Sequence, residues 1–233
     1  MRKLTGLCFL TAILLASSAN AQSIFIDKGD PSTMSATLGG QYGSLYGGAL
    51  SVAYSYRGVL DMGLDATGSR LTSGDRKNLN AFNFAPFMNI HAFRPDDNEM
   101  PVAISIFVAV EKVLYNNNNG YAGPDGWGIV LGPSVYRRFE IGTSTLLIPE
   151  VLLAYDFMYT RAYSNAHDQN AAWVGDVNRD VNTPPAQSKH SGRALVRANL
   201  GFKSGGHVWT VTPYAGYQGV FGTVFGLNAG FVL

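Results

Sequence analysis

The sequence predicts an all-β fold, a transmembrane antiparallel up-and-down β-barrel of about ten strands, and three observations predict it. Apolar and polar residues alternate with period two along most of the chain, and the connections between the alternating runs sort into a short and a long class. The composition also suits a wall facing lipid: 14% of residues are charged, 12% are aromatic and 27 are Gly.

The alternating runs centre on residues 33-42, 47-56, 59-68, 80-92, 101-112, 127-138, 145-159, 192-203, 207-218 and 221-233. Most are close to the roughly 9–11 residues of a tilted membrane strand. Eight strands result if the first two and the last two runs are divided differently, because each pair is joined by a short connection near Ser44 or Val220. No run beyond the N-terminus keeps a 3.6-residue period or an apolar stretch of about 20 residues, so a membrane would be crossed by a closed barrel, the remaining structure that satisfies its own backbone.

Taking every second connection gives Tyr56-Arg57-Gly58, Arg94 to Glu99, Phe139 to Thr143 and Ser204-Gly205-Gly206, all short. The others include Ser69 to Leu79, Tyr115 to Gly126 and Thr160 to His190. Short turns at one end opposite long loops at the other are a barrel signature.

The two faces differ in chemistry. Leu60, Met62, Leu64 and Ala66 alternate with Asp61, Gly63 and Asp65; Val102, Ile104, Ile106, Val108 and Val110 alternate with Ala103, Ser105, Phe107, Ala109 and Glu111. Ala194, Val196, Ala198, Leu200 and Phe202 alternate with Arg193, Leu195, Arg197, Asn199 and Gly201. The apolar face is aliphatic in mid-strand, with Tyr54, Tyr56, Tyr155, Tyr159, Trp209 and Tyr217 toward strand ends, as in interfacial aromatic girdles. A soluble sheet with one buried face gives the same alternation; the export signal, the loop asymmetry and the last strand favour the membrane.

That export signal is the order Arg2-Lys3, an apolar run from Leu4 to Ala16, and Ser17 to Ala21, which reads as a secretory signal peptide over residues 1-21 with the barrel domain at 22-233. Cys8, the sole cysteine, lies within it, leaving no disulfide, cysteine metal site or thiol nucleophile in the mature chain. The net charge of +1 becomes −1 once Arg2 and Lys3 are removed (1 − 2), which gives no electrostatic case for nucleic acid.

The last strand places Phe225, Leu227, Ala229, Phe231 and Leu233 at every second position up to the final one. Here the chain resembles bacterial outer-membrane β-barrel proteins, whose C-terminal strand carries such a pattern as an assembly signal. The resemblance implies outer-membrane localisation, with outer-membrane lipid and the barrel assembly machinery as partners.

In such a barrel the lumen receives Asp61, Asp65, His91, Glu111, Arg138, Glu150, Asp156, Arg193, Arg197 and Lys203. Pairing the seventh and eighth strands puts Asp156 near Arg193 or Arg197, and Glu150 near Arg197 or Lys203. Ten strands enclose little more than the width that side chains fill, so these charges must pair or stay hydrated. They form either a structural ion-pair network plugging the barrel or the lining of a narrow channel for a small solute or ion.

The connection from 160 to 190 holds Asp176, Asn178, Asp180 and Asn182, oxygen ligands at every second position, which gives a weak calcium candidate. Val181 stands where a calcium loop turns on Gly, and Gln187 where it takes a bidentate Glu. Asn116 to Asn119 with Gly120 form a polar tip. Tyr163-Ser164-Asn165-Ala166 slightly resembles the Ser-Asn segment of lipid A deacylases, but Ala162 occupies the position of their catalytic His. His167-Asp168 is the adjacent acid-His pair that the omptin proteases would need, yet neighbours on a strand point oppositely. The sequence therefore predicts a non-enzymatic barrel without cofactor or metal, with passive transport or envelope structure as its role. The alternatives are an adhesin acting through loop 160-190 and a lipid-modifying hydrolase; oligomeric state stays open.

Overall fold

The computed structural model describes residues 22–27, 29–72, 80–94, 101–116, 126–160, 187–218 and 222–233. A single turn of 3-10 helix (Gln22–Phe25) precedes β1 (Thr33–Gly43), β2 (Leu45–Tyr56), β3 (Leu60–Leu71), β4 (Asn80–Phe93), β5 (Ala103–Asn116) and β6 (Gly126–Tyr136). They are followed by β7 (Phe139–Ile141), β8 (Thr145–Thr160), β9 (Gln187–Ser204), β10 (His207–Gln218) and β11 (Gly222–Val232). Neighbours pair in chain order, β6 and β7 both pair with β8, and β1 pairs with β11. The short β7 continues the line of β6, so the ring is a closed antiparallel barrel of ten staves rather than eight.

Closure runs over Ser35↔Val232 to Gly43↔Val224, so the C-terminal strand completes the wall. At the end bearing the chain terminus, tight turns join the strands. Arg57 (φ 49°) and Gly58 (φ 66°) both lie in the left-handed region, as do Gly205 (φ 59°) and Gly206 (φ 83°), the backbone of a type I′ turn whose twist matches the flanking strands. Three ladder interruptions fall at outward-facing Pro86 on β4, Pro133 on β6 and Pro213 on β10, residues with no N–H to donate.

Several boundaries differ from the sequence reading: β3 runs on to Leu71 and β5 to Asn116, into the connections read from Ser69 and Tyr115, and two further differences are larger in consequence. β9 starts at Gln187, so His190 lies on the wall opposite Phe157 rather than in the loop; polar Ser188 to Ser191 carry no apolar period to reveal it. Phe139 to Ile141, read as part of a turn, adds three pairs to β8 before the turn at Gly142 (φ 68°).

Alternation sets the two surfaces. Outside, the mid-strand residues Leu50, Leu64, Ile106, Ile129, Val151 and Leu153 are exposed, the last at 55%. Tyr54, Tyr56, Phe139 and Trp209 lie outward at the turn end, and Tyr42, Tyr46, Trp127 and Tyr159 at the opposite, loop end. Inside, charged and polar side chains are interleaved with an apolar cluster that includes Phe87, Phe107, Leu152, Leu195 and Tyr214. The inner face is thus less uniformly polar than the alternation alone indicates.

Close approach governs two glycines. Tyr214 lies across Gly226, where a Cβ would meet its ring at 2.2 Å, and Phe25 lies against Gly201 at 2.8 Å. Phe25 belongs to the N-terminal segment, whose Ile24, Phe25 and Ile26 are all buried among Ala103, Tyr136, Leu146, Ile148 and Val232. This segment folds back into the turn end of the barrel and fills it.

Candidate functional site

The lumen holds three hydrogen-bonded polar networks, each built across strands that need not be neighbours in sequence. Nearest the turn end, the Ser55 hydroxyl donates to Asp61 Oδ1 at 2.5 Å, and His91 Nε2 lies 3.1 Å from Asp61 Oδ2. The other ring nitrogen of His91 lies 2.9 Å from the Tyr136 hydroxyl, and Asn89 closes the group at 3.3 Å from Nε2. β2, β3, β4 and β6 supply these residues because odd-numbered positions of β2, β3 and β4, and even-numbered positions of β6, face inward.

The second network centres on Glu150 of β8. Arg197 donates to Oε1 at 3.2 Å, the Ser134 hydroxyl donates to the same oxygen at 2.6 Å, and Asn199 donates to Oε2 at 3.1 Å. Thr212 in turn donates to Asn199 at 3.0 Å. Glu150 and Arg197 face each other directly in the β8–β9 register, so the local backbone pairing delivers this ion pair.

In the third, Arg193 Nη2 donates to both Glu111 (3.0 Å) and Asp156 (3.1 Å). Asp156 reaches it from the adjoining strand, whereas Glu111 reaches it from β5, two staves further round. The side chains are 11%, 4% and 0% exposed, which removes most solvent screening. Asp65 also points inward and is buried.

Eight of the ten charges expected in the lumen therefore lie there, and two do not. Arg138 follows the end of β6, where alternation no longer fixes direction, and it pairs at the rim with exposed Asp27 (2.5 Å) and Glu140 (3.1 Å). Lys203 keeps the inward phase of β9 but sits one residue from its end, where its ammonium reaches out to Glu140 at 3.5 Å. Asp176, Asn178, Asp180 and Asn182, and likewise Ser164, His167 and Asp168, lie outside the described residues. Among the described residues, no group of three His, Cys, Asp or Glu side chains is placed to hold a metal ion.

One inward cation was missed. A one-residue register shift between His91 and Phe93 reverses the phase of β4, turning Arg94 inward although the alternation of the strand points it out. It donates to the Gly58 carbonyl at 2.5 Å and the Ile26 carbonyl at 2.7 Å, tying the N-terminal segment to the turn end. His190, by contrast, faces outward, hydrogen-bonded to the Tyr155 hydroxyl and packed on Phe157 with ring centroids 5.0 Å apart.

Between the networks and the loop end a cavity of about 50 Å³ remains, lined by Asp65, Glu111, Arg193 and Arg197 together with Asn83, Phe107 and others. It has room for a few water molecules.

No family model matches the chain, and no curated protein matches it. Among solved structures it is similar to the N-terminal β-barrel domain of Pseudomonas aeruginosa OprF, at 12% identity and a TM-score of 0.34, over 88% of this chain and 100% of that domain. That likeness is too distant to carry an argument about this chain.

Proposed function

We propose that this chain is an outer-membrane barrel with a structural envelope role, its lumen sealed by its own side chains. The observation that carries the reading is the inversion of the wall: apolar residues ringed by aromatics face outward, while eight of the ten titratable side chains expected in the lumen lie within, together with Arg94. A soluble barrel keeps its apolar face inside, and an outer wall of Leu, Ile and Val between aromatic girdles fits hydrocarbon between two interfaces. The signal-like N-terminus and the terminal Phe231 and Leu233 pattern support export and assembly at that membrane.

Within the same class, a sealed barrel is favoured over a channel. Ile24, Phe25 and Ile26 fill the turn end, and buried carboxylates and guanidiniums cross the interior in bonded networks. The Glu111–Arg193 pair reaches from β5 to β9, three staves round, and with the pairs between β8 and β9 occupies the cross-section rather than leaving a water column. The reading assigns no catalytic step to these residues.

Membrane fractionation with heat-modifiable gel migration tests the barrel, and planar-bilayer recording tests the seal. The expected result is an outer-membrane protein without resolvable conductance steps. A soluble periplasmic protein overturns the first part, and discrete ion-conducting steps overturn the second in favour of a narrow channel.

A further inference from the structure

At the loop end the outer wall carries charge of one sign. Arg70 on β3, Lys112 on β5 and His190 on β9 take the outward phase of their strands there, and among the described residues no Asp or Glu does so. The described carboxylates either face the lumen or, as Asp27, Asp30 and Glu140, lie at the turn end. At that other end Arg137 and Arg138 share the rim with these acids, so the signs are mixed.

Register sets the depth of the loop-end cations. Lys112 stands opposite Trp127 and Arg70 opposite Tyr46, so each lies beside an aromatic of the loop-end girdle. The Lys112 ammonium rests 4.7 Å from the centroid of the Trp127 ring. Between the two cations, exposed Phe82 and Phe84 of β4 and Leu114 of β5 keep the wall apolar. A Lys or Arg on the lipid face is costly at the bilayer midplane and tolerated near the interface. There the alkyl stem lies along apolar surface while the charge reaches the headgroups.

The same charges favour one kind of headgroup. A zwitterionic lipid brings its own ammonium to its phosphate, in competition with these side chains. A net-negative lipid leaves the phosphate to accept from them, and a guanidinium offers phosphate oxygens paired N–H donors. His190, already hydrogen-bonded to the Tyr155 hydroxyl, is not required for this chemistry.

We infer that the loop-end girdle over β3 to β6 is a contact surface for anionic phospholipid, in which Arg70 and Lys112 each donate to a phosphate of the leaflet at that end. The two side chains, two staves apart, engage separate headgroups. The inference rests on the reading that this wall faces a bilayer.

The test is tryptophan quenching in vesicles that mix phosphatidylglycerol with phosphatidylcholine, one lipid at a time carrying dibrominated chains. Two single-tryptophan proteins report on the girdle. One keeps Trp127 and carries Trp173→Phe and Trp209→Phe; the other carries Tyr46→Trp with Trp127, Trp173 and Trp209 all replaced by Phe. A third protein, keeping Trp209 alone, reports on the turn end. The expected result is phosphatidylglycerol favoured about fivefold at each girdle position, the ratio for about one interfacial charge, and no preference at Trp209. Lys112→Gln should bring the ratio at Trp127 close to one, and Arg70→Gln should do the same for the Tyr46→Trp protein. Raising the salt concentration should lower both ratios without any further substitution, which keeps the test decisive where a variant fails the heat-modifiability check for folding. Equal quenching by the two lipids at either girdle position, a ratio unchanged by these substitutions in folded protein or by salt, or an equal preference at Trp209 overturns the contact surface and leaves the sealed barrel standing. No quenching by either lipid at any position sets the chain outside the bilayer and overturns both.

Discussion

Arg193 is the most exposed point of the lumen's electrostatic design, because one guanidinium nitrogen serves two buried carboxylates. Arg193→Met keeps much of the side-chain volume and removes the charge. Breaking a buried pair from one side costs about 3–5 kcal/mol, since the partner is left charged and desolvated. Here two partners are stranded, Glu111 at 3.0 Å and Asp156 at 3.1 Å, with side chains 4% and 0% exposed. The expected loss is therefore at least about 3 kcal/mol. Replacing the whole triad, with Glu111→Gln and Asp156→Asn added to Arg193→Met, removes both stranded charges and should recover stability to within about 2 kcal/mol of the native protein. Urea unfolding in lipid vesicles, followed by tryptophan fluorescence, measures both. A single variant within about 0.5 kcal/mol of the native value, the range of an ordinary surface change, would refute the claim that these charges depend on one another.

Leu153→Arg, at mid-strand on the outer wall, should cost about 2–4 kcal/mol in the same assay if that wall faces hydrocarbon; an unchanged midpoint contradicts it. Gly226→Val drives a side chain into the Tyr214 ring, 2.2 Å from the position of its Cβ, and should destabilise by about 1–3 kcal/mol, with Tyr214→Ala relieving part of the added loss. Phe25→Ala should release the N-terminal segment before the barrel unfolds, which limited trypsin digestion detects as faster cleavage near residue 28 with the remaining barrel still heat-modifiable. Trp127 and Trp209, exposed at opposite ends of the wall, should both be quenched more strongly by lipids brominated near the headgroup than near the chain terminus once Trp173 is replaced by Phe.

Much of this architecture is legible in the sequence because alternation is a local property. Ala103, Ser105, Phe107, Ala109 and Glu111 share a face whatever lies opposite, and the β8–β9 pairing then delivers Glu150 to Arg197 and Asp156 to Arg193. The features that escaped depend on departures from strict period two or on space across the barrel. The shift between His91 and Phe93 inverts Arg94, and the end of β6 frees Arg138 from any face. Ile24-Phe25-Ile26 is too short to show a period and gains meaning only when Gly201, far along the chain, leaves a hollow for Phe25. The same is true of Glu111 and Arg193, whose contact crosses the interior and is set by barrel width rather than by neighbouring register.

The seam between the first and last strands sets an order of events as well as a shape. Thr37 meets Gly230 across nearly the whole chain, so the strand pairing with the longest separation is also the one that makes the wall continuous. Contacts between such distant positions form late and slowly. The bed of the N-terminal segment includes Val232, which itself pairs with Ser35 in the seam, and so is complete only once the ring is closed. The first described residues are thus among the last to find their place, and the chain carries its own latch, set when the ring has closed.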